Sequence, residues 1–161
     1  MRATEQGLTE IQRNADLCFI LRNQNLYALV SERTTLSDAF CLVDDNIART
    51  IHAVISFLQS GVLSPGHMGT AWAGVGEAEN SAVAAVETAL SDRLHGGQRV
   101  HDAARIFIDI AAEGDVPRVE LEQALTRLQQ VNRSAKIVYG STVDSGLDRK
   151  RRATIIATKL A

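Results

Sequence analysis

Leu36, Phe40, Val43, Ile47, Ile51, Val54 and Leu58 recur at steps of three and four without a break. At about 3.6 residues per turn that spacing puts all seven on one side of a helix, so the segment predicts one long amphipathic helix with a single apolar stripe. Both ends are marked. Thr35 stands where an N-cap belongs, with Asp38 three residues on in capping-box position, and Gly61 and Pro65 stop the pattern. The stripe is expected to pack on neighbouring strands.

Shorter elements surround this helix. Residues 3–13 read as a short helix, and Leu17-Cys18-Phe19-Ile20-Leu21 as a buried strand ended by the turn-prone Asn23-Gln24-Asn25. Met68 to Val75 reads as a strand in which Gly69, Gly74 and Gly76 mark bends or close approaches. An Ala-rich helix over 79–91 follows, then a near-continuously apolar strand from Ala103 to Ile110. Asp115 and Pro117 open a helix that turns Leu121, Ala124, Leu125 and Leu128 inward. Ala135–Tyr139 and Ala153–Ala157 are the closing strands, joined by a polar loop over 141–152. Helices alternate with strands until two strands run consecutively, which predicts a mixed sheet.

Composition narrows the function classes. Hydrophobic residues make up 45% and aromatics 4%, so the core must be built from Ala, Val, Ile and Leu. Seventeen Lys and Arg against nineteen Asp and Glu give a net charge of −2, which argues against nucleic acid as a partner. No run approaches the ~18 apolar residues of a membrane span, and the N-terminus has no apolar signal core. Cys18 and Cys41 lack metal-type spacing and read as reduced, buried thiols of a cytoplasmic protein. His52, His67, His95 and His101 are scattered, so no metal site is assigned. The basic run Arg149-Lys150-Arg151-Arg152 reads as a solvated turn facing Asp144 and Asp148.

Five segments in order carry a family resemblance. Asn23-Gln24-Asn25-Leu26 resembles a Pro-Asn-x-x-Leu segment, with Arg22 in place of the proline. Thr34-Thr35-Leu36-Ser37-Asp38-Ala39-Phe40 with Asp44-Asp45 resembles the start of a central helix. Met68-Gly69-Thr70-Ala71 through Gly74-Val75-Gly76-Glu77-Ala78 is similar to the first strand of a C-terminal domain. Ala135-Lys136-Ile137-Val138-Tyr139-Gly140-Ser141-Thr142 and Arg152-Ala153-Thr154-Ile155-Ile156-Ala157-Thr158 are similar to its closing strands. The family is FtsZ, the tubulin-like GTPases of bacterial cell division. The resemblance implies an α+β fold: a two-layer sandwich with a mixed four-stranded sheet and helices on one face. A long central helix and a short N-terminal helix-strand remnant would precede it. Residues 1–60 would hold the edge of the GTPase domain and the central helix, and residues 61–161 the C-terminal domain.

Two departures bear on function. No Gly-Gly-Gly-Thr-Gly-Thr-Gly phosphate loop occurs, so the backbone amides that hold a triphosphate in the family are missing. Gly61-Val62-Leu63 runs straight into Ser64-Pro65-Gly66-His67-Met68, where the family has an Asn-x-Asp-x-x-Asp segment. The two acids that orient the attacking water for a neighbouring subunit are therefore absent, and neither Ser64 nor His67 replaces them. The resemblance makes Asn23, Phe40 and Asp45 the remnant nucleotide-contact positions. The plainer alternative for them is a turn Asn, a core Phe and a helix-surface Asp. No catalytic residue and no cofactor of its own are expected, GTP being the ligand of the parent family. The expected role is assembly through protein–protein contacts, as polymerisation partner or filament cap, with full-length FtsZ or itself as partner and a homo-oligomer as the expected state. The alternatives are an excised piece of FtsZ, or a small-ligand binder using a remnant nucleoside pocket.

Overall fold

The computed structural model describes residues 2–20, 34–59, 69–92 and 97–158. In chain order the elements are α1 (Arg2–Asn14), β1 (Leu17–Phe19), α2 (Leu36–Gln59), β2 (Gly69–Glu79) and α3 (Ala82–Leu90). A 3-10 turn over Gly97–Asp102 leads to β3 (Arg105–Ala112), α4 (Arg118–Val131) and β4 (Lys136–Val143). A second 3-10 turn, Ser145–Leu147, precedes β5 (Lys150–Thr158). The expected turn at Asn23–Asn25 and the helix stop at Gly61 and Pro65 lie outside the described residues.

One mixed sheet holds all five strands in the order β1-β2-β5-β3-β4. The pairs β1–β2 and β3–β4 are parallel, each joined through a helix, while β5 runs antiparallel to both β2 and β3 at the centre. The fold class is therefore the expected α+β arrangement, with one strand more than the four expected. The addition is β1, whose Leu17, Cys18 and Phe19 pair with Gly69, Thr70 and Ala71. A three-residue strand pairing across more than fifty positions leaves no trace in periodicity, which is why it reads from sequence as a separate remnant.

Helices α3 and α4 share one face of the sheet as expected, and the preceding α2 covers the other. On the first, α3 and α4 pack Ala82, Ala85, Val86, Ala89, Ala124 and Leu128 onto Ile106, Ile108, Ile110, Ala153 and Ile155. Gly76 allows this closeness: a Cβ there would run into the backbone of Ala85 and Ala89 on α3. On the second face the C-terminal half of α2 packs Ala53 and Phe57 onto Ala71, Ala73, Phe107 and Ile156. The Phe57 and Phe107 rings meet at 5.9 Å between centroids, tilted by 56°.

The start of α2 is built as its sequence indicates. Asp38 N–H donates to Thr35 Oγ1 at 3.1 Å, and the Thr35 hydroxyl donates to the Asp38 carboxylate at 2.6 Å. The apolar stripe, however, is rotated from the expected phase. Ala39, Thr50, Ala53 and Phe57 are the buried residues of α2. Val43, Ile47 and Val54 lie at the border, whereas Leu36, Phe40, Ile51 and Leu58 are 73%, 46%, 52% and 46% exposed. The sheet takes up only one side of a broad apolar arc.

A single side chain ties the other layer. Asn132, buried after α4, donates through Nδ2 to the Val100 and Ala103 carbonyls, both at 2.9 Å. Its Oδ1 accepts from the Ser134 and Ala135 N–H groups and from the Ser134 hydroxyl. Both donors and the acceptor of its side-chain amide are used, so it fixes the crossing between α4, β4 and the 3-10 turn before β3.

Candidate functional site

Between the C-terminal half of α2 and the ends of β3, β4 and β5 lies a polar cleft of about 500 Å³. Helix α2 contributes Arg49, His52 and Ser56; the sheet and the loop after β4 contribute Asp109, Thr142, Asp144, Arg152 and Thr154. The alternation of β3 explains its floor. Ile106, Ile108 and Ile110 face α3 and α4, so Phe107 and Asp109 face α2.

Asp109 is 6% exposed and its Oδ1 accepts the Thr142 hydroxyl at 2.9 Å. Burial pushes its carboxyl above the usual range, opposed by the Thr142 hydrogen bond and the Arg152 charge. Arg152 is already engaged by Glu77 at 2.9 Å and Asp144 at 2.9 Å. Glu77 also takes Arg49 of α2 at 2.6 Å and Lys150 at 3.6 Å. Burial raises Glu77, but the Arg152 hydrogen bond and the charges of Arg49, Arg152 and Lys150 outweigh it and hold the carboxyl below its ordinary value. The Gly146 N–H, with Arg152, holds Asp144 low as well. The rim of the cleft is thus an ion-pair network that pins α2 to β2 and β5, and its floor is a carboxylate with little compensation.

The basic run is taken up by this network. Lys150, Arg151 and Arg152 stand in β5 and not in a solvated turn, because carboxylates on both faces take them up: Arg152 meets the expected Asp144 and also Glu77, Lys150 meets Glu77, and Arg151 meets Glu120 at 3.2 Å on the other face. Glu120 also accepts the Ala82 N–H at 2.8 Å, closing the start of α3. Among the described residues no group of three or more His, Cys, Asp or Glu side chains is placed to hold a metal ion.

Of the three remnant nucleotide-contact positions, Asn23 lies outside the described residues. Phe40 is 46% exposed near the start of α2, so it is not a core residue. Asp45 is exposed on the same helix. Five residues apart on a helix, the two point roughly 140° away from each other. Both lie N-terminal to the cleft, whose α2 lining begins at Arg49. Sequence reading passed over Asp109, though the signal was present: one carboxylate in the middle of an otherwise apolar strand. Cys18 is buried as expected, but Cys41 is exposed.

With the geometry in place, the comparisons are specific. Residues 69–161 match the family described as "FtsZ family, C-terminal domain". The chain is 32% identical to the cell division protein FtsZ of Wolbachia pipientis, over 98% of this chain and 54% of that protein. It is 32% identical to FtsZ of Magnetospirillum gryphiswaldense, over 100% of this chain and 31% of that protein. An empty FtsZ dimer from M. jannaschii shares the fold with a TM-score of 0.80 at 21% identity, over 95% of this chain and 48% of that one. A GTPγS-bound protofilament of CetZ2 from Haloferax volcanii shares it at a TM-score of 0.67. The matched part is the tubulin-like C-terminal domain with its leading helix. The chain belongs to the FtsZ family, and it spans about half the length or less of the relatives it matches.

Proposed function

We propose that this chain acts in FtsZ-type assembly through protein–protein contacts, as a partner or cap of filaments, and hydrolyses no GTP by itself. One observation carries the reading. Leu36, Phe40, Ile51, Ile55 and Leu58 are between 43% and 73% exposed along one helix whose neighbouring side is seated on the sheet. A continuous apolar stripe of that length on a surface marks a contact with another protein. The partner that fits is a full-length FtsZ chain or a second copy of this one. The sequence supports the second half of the proposal, since the 161 residues hold neither the glycine-rich phosphate loop nor the acid pair of the family.

Two measurements test this. Purified chain incubated with GTP should release no phosphate above a boiled control; steady release abolished by Asp45→Ala would overturn the non-hydrolytic part. Immobilised chain should capture full-length FtsZ, and Ile51→Lys should weaken capture while leaving the fold intact, because Ile51 is 52% exposed. Capture unaffected by Ile51→Lys would remove the helix face from the proposal.

A further inference from the structure

β4 is the outer strand of the sheet and pairs only with β3 among the described residues. At the start of the ladder the Lys136 N–H donates to the Ala104 carbonyl at 3.0 Å, and just past its end the Asp144 N–H donates to Ala112 at 2.7 Å. Backbone groups alternate along a strand, so even-numbered residues turn theirs to β3. Ile137, Tyr139, Ser141 and Val143 turn their N–H and C=O groups outward.

This edge carries none of the usual protection. Its register with β3 runs unbroken from Lys136 to Val143, with no bulge. It contains no proline, and its one charge, Lys136, stands at the very start. Sheet edges are normally blunted by shortness, bulges, prolines or charges along the strand. The opposite edge, β1, is blunted in that way, being three residues long. On β4, by contrast, Tyr139 and Val143 are 53% and 62% exposed.

We propose that β4 pairs antiparallel with β4 of a second copy, about a two-fold axis at Gly140, joining two sheets into one. The strand selects that register. Only odd-numbered residues present free backbone groups, so odd must face odd. Centred on Gly140, Ile137 meets Val143 of the second copy and Tyr139 meets its Ser141, which uses all four outward residues of each strand. Registers centred on Tyr139 or Ser141 leave one outward residue without a partner. The Gly140 register also sets Lys136 opposite Asp144 of the second copy at both ends, a pair of opposite charges on one face. Asp144 keeps 37% of its side chain exposed beside Arg152, leaving it open to that lysine. The two Tyr139 rings become diagonal neighbours, within aromatic reach. This surface is separate from the α2 stripe, so its failure leaves the proposed function standing.

Sedimentation velocity of the whole chain over a range of concentrations tests the pairing. The expected result is a monomer–dimer equilibrium that Val143→Lys weakens by roughly tenfold or more, because it sets a lysine against Ile137 of the other copy. The exposure of Val143 lets the fold tolerate the change, which thermal melting checks. Val143→Lys should weaken association to the same extent whether or not Ile51→Lys is present, because the two surfaces are separate. Gly140→Cys in a Cys41→Ser background reads the register directly. Directly opposed residues of a non-hydrogen-bonded antiparallel pair approach to about 4.5 Å, within disulfide range. A Cβ at 140 meets only Asp109 Oδ1 at 3.5 Å and Phe57 at 3.7 Å, which are ordinary contacts. Mild oxidation should give a covalent dimer, and Val119→Cys in the same background should not. A chain that stays monomeric, a dimer that Val143→Lys leaves intact, or a Gly140→Cys variant that does not lock overturns the proposal.

Discussion

Asp109 carries the clearest consequence at the level of one residue. Its folded pKa is raised by burial above the ordinary carboxylate value of 3.8, so its ionised form is disfavoured in the fold. The stability contributed by its proton is fully present below the unfolded pKa and is lost as pH rises through the folded pKa. Asp109→Asn removes that loss and can still accept the Thr142 hydroxyl. The variant should melt higher than the parent at neutral pH, and the two curves should converge in acid. Glu77 and Asp144 act with the opposite sign. Their lowered pKa values give stability above the unfolded values that is lost as pH falls through the folded ones. Thermal melting as a function of pH, for the parent and Asp109→Asn, checks both signs together. A variant less stable than the parent at pH 7 would contradict the assignment. Asn132 gives the second test at this scale. Asn132→Ala removes both Nδ2 hydrogen bonds to buried Val100 and Ala103, and the Val100 carbonyl keeps only the Ala103 N–H at 3.3 Å, so a loss of about 1–3 kcal/mol is expected in denaturant melts.

At the level of the element, α2 shows what its residues disclose and where they stop. The Thr35–Asp38 cap is legible because capping depends on residues close in sequence. The stripe is legible as an apolar arc, but the arc is wider than the face the sheet covers. Periodicity alone does not say which edge of the arc turns inward. Small residues decide it, since Ala39, Thr50 and Ala53 let the helix lie close to the sheet, with Phe57 as the anchor. The expected stripe took in Phe40 and left out Phe57, yet Phe57 is the buried one, and the two should behave oppositely. Phe57→Ala should cost about 3–5 kcal/mol, while Phe40→Ser should stay within about 0.5 kcal/mol in the isolated chain. Equal losses in urea unfolding would mean that both faces of α2 are covered. The same limit hid the pairing of β1 with β2, and the role of Asp109. Strand pairing is a long-range choice, and one carboxylate does not disturb the apolar average of β3.

For the whole molecule, the glycine pattern of β2 and the alternation of strands and helices from β2 to β5 follow the sequence closely, because each rests on local chemistry repeated over eight or more residues. What the chain does as a unit rests on the surface it leaves bare. Among the described residues no helix is long and apolar enough to cross a membrane, so the α2 stripe is not explained as a span. The proposed occupant is a protein partner in FtsZ-type assembly. The most direct measurement is the pelleting of full-length FtsZ polymer in the presence of GTP, with this chain added in large molar excess. The account predicts less pelleted polymer with the parent chain and recovery of the polymer with Ile51→Lys. Unchanged polymer mass, GTP turnover and filament length with the parent chain would contradict it.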